Sequence, residues 1–322
     1  MFRMLSAGVA FLILSCFGTM SMAADPYPTK PIQIIVGFTP GGGSDLVARL
    51  LAPGLSAEFG VPVVVENKVG AGGVIAADIV AKSKPDGHTL LLASPGAFTI
   101  AVSLRKLPYD PAKDFTTIAQ LDSYPNILVV NTQSGINSFA DLVRKAKENP
   151  GKLNYASTGN GATPHLAFAH LNMITGIDTR HIPYKGNPPA IADLLGGQVS
   201  LFIGDPLPLM PHIESGKLKA LAVTTKDRFR LLPNIPSMAE VGVAGYDVPF
   251  WHALVGPRDM PPEVVAKLEA ALRKIMVRKE FVTAIENAAM AVELVGGAQL
   301  SRRMAEERSR WEKVIKANNI KE

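Results

Sequence analysis

Cysteine is nearly missing from this chain: Cys16 is the only one in 322 residues. An internal disulfide and a thiolate metal site are thereby excluded. A domain of this size folds without such staples even in an oxidising compartment. Lysine and arginine form no block of the kind that grips nucleic acid. Beyond the first two dozen residues, no apolar run approaches the roughly 18 residues of a membrane helix. Glycine and proline are plentiful but dispersed, so no long disordered linker is expected.

What is present is a globular composition, with 47% apolar and 19% charged residues. The length predicts two domains. Arg3, the apolar run over residues 4–17 and the small residues Ser21 and Ala23 around Met22 together read as a secretory signal. Cleavage would leave Ala24 or Asp25 first and remove Cys16, the only candidate cysteine nucleophile. The alternative is a lipoprotein signal ending at Cys16. The formal net charge of +5 falls by one when Arg3 is lost. That mild basic lean suits anionic ligands without requiring them.

The mature chain alternates strand and helix patterns. Residues 32–38, 62–66 and 89–93 read as strands, with helices over 44–59 and 73–82 between them. The alternation restarts at 127–131 and runs through strands at 153–156, 181–184, 200–203 and 218–223. Helices at 138–148, 164–173 and 188–195 separate them. A strand at 250–256 leads into a helical tail. In that tail Val264, Leu268, Leu272 and Ile275 share one face, and Leu300, Met304, Trp311 and Ile315 share another. The expected fold class is α/β with two lobes, built on parallel sheets with helices on both faces. Residues 1–24 are the signal, 25–125 and 249–322 form lobe 1, and 126–248 form lobe 2. Two chain crossings would make a hinge.

Several strand-to-helix junctions repeat one device, small residues followed by a helix start. Residues 40–45 read P-G-G-G-S-D, 69–74 read V-G-A-G-G-V, and 157–165 read S-T-G-N-G-A-T-P-H. Residues 184–189 read Y-K-G-N-P-P and 203–206 read I-G-D-P. Glycine lets the backbone approach a ligand, and helix starts expose unpaired N–H groups at the positive end of a dipole. Such junctions bind anions without Lys or Arg. Gly72, Gly73 and Ser94, the last just past the third strand, belong to the candidate set. The plain alternative is capping: Thr163, Asn187 and Asp205 each precede a proline, as N-cap residues do.

The chain resembles the substrate-binding proteins of tripartite tricarboxylate transporters, often called Bug proteins. The resemblance covers essentially the whole mature chain. It rests on Y-P-T-K-P-I from Tyr27, V-V-V-E-N-K from Val63, P-D-G-H-T-L-L-L from Pro85 and K-L-P-Y-D-P from Lys106. G-K-L-N-Y-A-S from Gly151, H-I-P-Y-K-G from His181, D-L-L-G-G-Q-V from Asp193 and G-K-L-K-A-L-A-V-T from Gly216 extend it. The resemblance implies a type II periplasmic binding protein fold that closes over an organic acid, without a cofactor and without catalysis. By motif, Phe38, Gly41, Gly42, Gly43, Ser44 and Asp45 would meet the ligand from lobe 1. Ser157, Thr158, Asn160 and Thr163 would do so from lobe 2, with Lys185, Gly186 and Asn187 in a third loop. Asp205 matches an acidic position that meets ligand or bridging water. The implied partners are a small organic carboxylate and a membrane permease, the implied site is the periplasm, and the implied state is a monomer. Family members often carry proline where Gly37 stands, and the segment Pro249, Phe250, Trp251, His252 is unusual in detail.

Other patterns point elsewhere. Gly70, Ala71 and Gly72 imitate part of a dinucleotide fingerprint, but Ile75 stands where glycine or alanine belongs. Ser103 to Lys106 matches S-x-x-K without the accompanying motifs of serine acylases. His165 and His170 are five apart, off the spacing of helical metal ligands, and His88, His181, His212 and His252 are isolated in sequence. Structural or surface positions are expected for all six. Trp251 reads as core rather than as a stacking platform. A sensor delivering the same ligand to a signalling partner is the alternative function, with an exported hydrolase of small acids behind it.

Overall fold

The computed structural model describes residues 27–317. The expected signal segment, Cys16 included, lies outside the described residues. β1 (Ile32–Val36), α1 (Gly43–Phe59), β2 (Val63–Asn67), α2 (Val74–Ala81) and β3 (Thr89–Ala93) follow one another as the alternation predicts. A π-helical turn (Gly96–Ile100) runs into the short α3 (Ala101–Leu104), and β4 (Phe115–Pro125) follows. The second unit comprises β5 (Ile127–Asn131), α4 (Phe139–Glu148), β6 (Asn154–Ser157), α5 (Thr163–Thr175) and β7 (Arg180–Pro183). It continues with α6 (Asn187–Leu195), β8 (Leu201–Gly204), α7 (Pro206–Glu214) and β9 (Leu218–Val223). The chain then returns through β10 (Pro249–Pro257), α8 (Pro262–Met276), α9 (Lys279–Asn287), β11 (Ala291–Gly296) and α10 (Gly297–Ala317).

Two sheets result, ordered β11-β4-β10-β3-β1-β2 and β7-β6-β8-β5-β9. Neither is wholly parallel, contrary to expectation. β10 runs antiparallel to β3 and β4, and β5 runs antiparallel to β8 and β9. The reason lies in the crossings. Each strand that enters from the other lobe comes in reversed, and a direct strand-to-strand step needs no helical crossover. β4 escaped the pattern reading because its sequence, F-T-T-I-A-Q-L-D-S-Y-P, mixes polar and apolar residues irregularly, with bulges in its pairing to β10.

The first sheet is covered on both faces, so its central strands are apolar almost throughout. Ile32, Ile34 and Val36 face α1 and α8, while Ile35, Leu91 and Ala93 face the cluster that holds α2 and the start of α10. α1 continues through Pro53, whose ring removes one helical hydrogen bond. Leu51 and Leu55 on either side are fully buried, and that burial offsets the loss. Gly54 lets α8 approach, since a Cβ there would stand 2.8 Å from Ile275.

The two crossings lie side by side. The Asn126 N–H donates to Thr224 Oγ1 at 2.9 Å, and that hydroxyl donates to the Val248 carbonyl at 2.8 Å. Residues 249–322 are expected in lobe 1, and the C-terminal helix begins by packing there. Leu300 and Met304 do so, but Trp311 and Ile315 enter the lobe 2 core beside Leu128, Phe168 and Tyr246. A 21-residue helix is about 30 Å long, enough to strap both lobes. Trp311→Ala is expected to lower unfolding stability by about 3–5 kcal/mol, as buried tryptophan truncations do. Urea unfolding with an unchanged midpoint would show that the strap carries no stability.

Candidate functional site

The expected helix starts converge between the sheets. One narrow cleft is lined by Phe38, Thr39, Gly42 and Ser44 from the β1–α1 loop and by Phe250 from β10. Thr158, Pro164, Asn187 and Asp205 line it from the other lobe. Its free space is about 20 Å³, room for roughly one water. The two lobes thus approach each other closely across it. None of the lining residues is Lys or Arg. A larger hollow of about 350 Å³ lies away from these loops, under α10, where Arg303 pairs with Glu293. Among the described residues no acidic, histidine or cysteine cluster could hold a metal.

Asp205 is the hub. Its Oδ2 accepts from the Gly43 N–H at 3.2 Å and from Asn187 Nδ2 at 2.8 Å. Its Oδ1 accepts from Asn126 Nδ2 at 3.0 Å and from the Tyr124 hydroxyl at 3.3 Å. Donors thus come from α1, α6 and the hinge to one carboxylate on the far lobe. Burial pushes the Tyr124 phenol well above its ordinary value, and the nearby Asp205 and Asp122 carboxylates add to this, so it remains a donor. The glycines of the first turn are forced by this approach. A Cβ on Gly43 would stand 2.8 Å from Met290 Cε, 3.1 Å from the Tyr124 hydroxyl and 3.3 Å from Asp205 Oδ2.

The capping alternative does not hold for the three residues before prolines. Asp205 is the N-cap of α7, but its side chain makes no capping bond. Thr163 and Asn187 are the first residues of their helices rather than caps, and Ala162 and Gly186 precede them. The Thr163 hydroxyl is buried and makes no hydrogen bond within the protein.

The remaining candidates are placed as follows. Asp45 braces the glycine turn: its carboxylate accepts from the Gly41 N–H at 3.2 Å, from Arg49 Nε at 2.9 Å and from Asn67 Nδ2 at 3.0 Å. Burial alone would raise its pKa, yet these partners hold it below the usual carboxylate value. Gly41 itself is exposed. Gly72 touches the opposite lobe, where an added Cβ would stand 2.8 Å from the Asn160 carbonyl oxygen. Gly73 packs against the Phe38 ring, and Gly186 leaves space for the Thr39 hydroxyl. Ser94 is buried and does not line the cleft. Asn160 and Lys185 are exposed. Ser157 is engaged within its own lobe, where its hydroxyl meets His181 Nε2 at 2.6 Å and accepts from the Gly159 N–H at 3.1 Å. His181 stacks on His165 with ring centroids 4.0 Å apart.

Sequence reasoning missed one group altogether. Ser44 Oγ lies 2.9 Å from His252 Nε2, and His252 Nδ1 lies 2.9 Å from Asp122 Oδ2. His252 and Asp122 are fully buried. The three lie on α1, β10 and β4, 208 and 130 positions apart, so no local pattern joins them. The unusual segment around His252 was the only signal. Trp251, the next residue back, points the other way and donates to Glu307 at 2.9 Å. The order Ser, His, Asp is that of acyl-transfer triads. Such chemistry needs donors for a developing oxyanion. The neighbouring Gly43 N–H is instead bonded to Asp205.

Two mixed sheets joined by paired crossings, with helix starts facing across a cleft, define a two-lobed binding protein of the periplasmic type. The profile described as "Tripartite tricarboxylate transporter family receptor" matches residues 47–320, and the chain belongs to that family. The family is one of substrate-binding receptors, not enzymes. Protein BugT of Bordetella pertussis is 36% identical over 93% of this chain and 93% of its own length. The R. palustris protein Rpa4515 with adipate is 34% identical, with a TM-score of 0.87, over 92% of this chain and 99% of that one. MatC from Rhodopseudomonas palustris with bound malate is 32% identical, with a TM-score of 0.86, over 90% and 100%.

Two outcomes are expected from this geometry. Asp205→Asn leaves an amide that accepts on one side only while four donors face it. The lobes should part, and small-angle scattering should record a larger radius of gyration without ligand; an unchanged radius would remove Asp205 as the closure hub. Burial first, and then His165, lower His181 to about 3. The unfolded chain takes up a proton near pH 6.5 that the folded chain refuses until about pH 3. Stability contributed by neutral His181 is thus complete above about pH 6.5 and is lost as pH falls through that window. His181→Phe should flatten the fall of Tm between pH 6.5 and 4; equal slopes in both proteins would contradict the assignment.

Proposed function

We propose that this chain is an exported, monomeric receptor that captures a small organic carboxylate in the periplasm and presents it to the membrane permease of a tripartite tricarboxylate-type transporter. One observation carries the reading. Helix N-termini from opposing lobes, those of α1, α5, α6 and α7, face one cleft with no Lys or Arg among its lining residues. Backbone amides and hydroxyls are then the available anion donors. Relatives with adipate and malate support the ligand class. No helix among the described residues is long and apolar enough to cross a membrane.

The energetics suffice. A helix terminus contributes about 0.3–1 kcal/mol to a nearby anion, and up to ~2 when partly buried. Each hydrogen bond to a charged group adds about 1.5–3 kcal/mol. A few of these, less ordering and desolvation, leave the ~8 kcal/mol of micromolar binding. The hinge supplies the motion: the lobes part, the acid enters, and closure covers it with amides from both sides.

A thermal-shift screen over mono-, di- and tricarboxylates tests the reading. An acid at 100 times its Kd should stabilise the fold by about 2.7 kcal/mol. Thr158→Trp, which fills the cleft, should abolish that shift while leaving the circular dichroism spectrum unchanged. Undiminished binding by this variant would move the site elsewhere.

A further inference from the structure

The lobe 1 wall of the cleft ends in three side chains connected in series. His252 and Asp122 are direct partners in the antiparallel pairing of β10 with β4. Asp122 Oδ1 accepts the His252 backbone N–H at 2.9 Å, and Oδ2 stands 2.9 Å from the ring Nδ1. A carboxylate only accepts, so Nδ1 carries a proton. With the ring proton on Nδ1, Nε2 accepts the Ser44 O–H at 2.9 Å, and the Tyr124 hydroxyl stands 3.5 Å from the same nitrogen. Ser44 therefore turns its lone pairs, not its proton, toward the cleft it lines. On the opposite wall Thr158 and the α5 start at Pro164 face the cleft, and the Thr163 hydroxyl beside them is buried and unpartnered.

We propose that His252, positioned by Asp122, determines specificity by fixing Ser44 as an acceptor, so that the preferred acid carries a hydrogen-bond donor, a hydroxyl or ammonium group, beside its carboxylate. This deepens the receptor reading and rests on it. The carboxylate lies toward lobe 2 and the donor group toward Ser44. An unsubstituted acid leaves a buried acceptor unmet, and a second carboxylate there meets lone pairs. The penalty for an unmet buried acceptor corresponds to about 10- to 100-fold weaker binding.

Asp122→Asn isolates this effect without a cavity. The His252 backbone N–H holds the amide oxygen at the Oδ1 position, 3.1 Å from Nδ1, so the amide NH2 takes the nearer Oδ2 position, 2.9 Å from Nδ1. The ring proton moves to Nε2, which donates to Ser44, and the Ser44 O–H is released toward the cleft. The experiment is titration calorimetry on matched pairs: lactate and propionate, malate and succinate, aspartate and succinate. The natural chain should bind the substituted member of at least one pair 10-fold or more tightly than its unsubstituted partner. Asp122→Asn should abolish or invert that ratio, and Ser44→Ala should abolish it and make Asp122→Asn silent in the double variant. Equal binding within every pair, or an unchanged ratio in well-folded Asp122→Asn, overturns this proposal alone. Failure of every carboxylate to bind overturns the receptor reading with it.

Discussion

Asp205 holds its carboxylate against donors from four directions, and much of the molecule is arranged around that contact. The first amide of α1, the amide of Asn187, and the side chains of Tyr124 and Asn126 at the hinge all point to it. Hydrogen bonds to a charged group are among the stronger polar contacts, and a buried carboxylate tolerates the loss of few of them. The requirement propagates outward. A side chain on Gly43 would meet Met290 and Tyr124, one on Gly42 would crowd Asn187, and Asp45 braces the glycine turn through Gly41, Arg49 and Asn67.

The cleft is polar without being cationic. Lys185, the basic residue nearest in sequence to a lining loop, is exposed, and the one charged side chain in the lining is the Asp205 carboxylate. An anion entering such a site is held by dipoles and amides, which are directional, so the site reads where oxygen atoms lie rather than only total charge. That suits a family whose members bind acids as different as adipate and malate. Ser44 lines the cleft on one wall, with His252 and Asp122 in series behind it.

Much of the architecture was legible because it follows from local periodicity. The first three strands, α1, α2 and the elements of the second lobe other than α7 fall within a few residues of their expected places. Glycine-rich junctions marked the loops that meet in the cleft, since a backbone that approaches another surface closely needs glycine. Phe38, Gly42, Ser44, Thr158, Asn187 and Asp205 line it as their position at strand ends suggests. Ser157, Asp45 and Gly72 share the same loops but turn to their own lobe or to the facing backbone, a difference of side-chain direction that loop membership does not encode.

Composition, periodicity and motif order by themselves determined the α/β class, the two-lobed division, the family and the loops that form the cleft. These are properties of short windows, or of their order along the chain. Tertiary structure alone decided which way each returning strand runs, that the last helix straps both lobes, and that Asp205 closes on Gly43. It also brought Ser44, His252 and Asp122 together from α1, β10 and β4. Contacts between residues 130 or more positions apart depend on how the sheet is threaded and on what burial demands of each polar group. Neither is written in any segment of the chain taken alone.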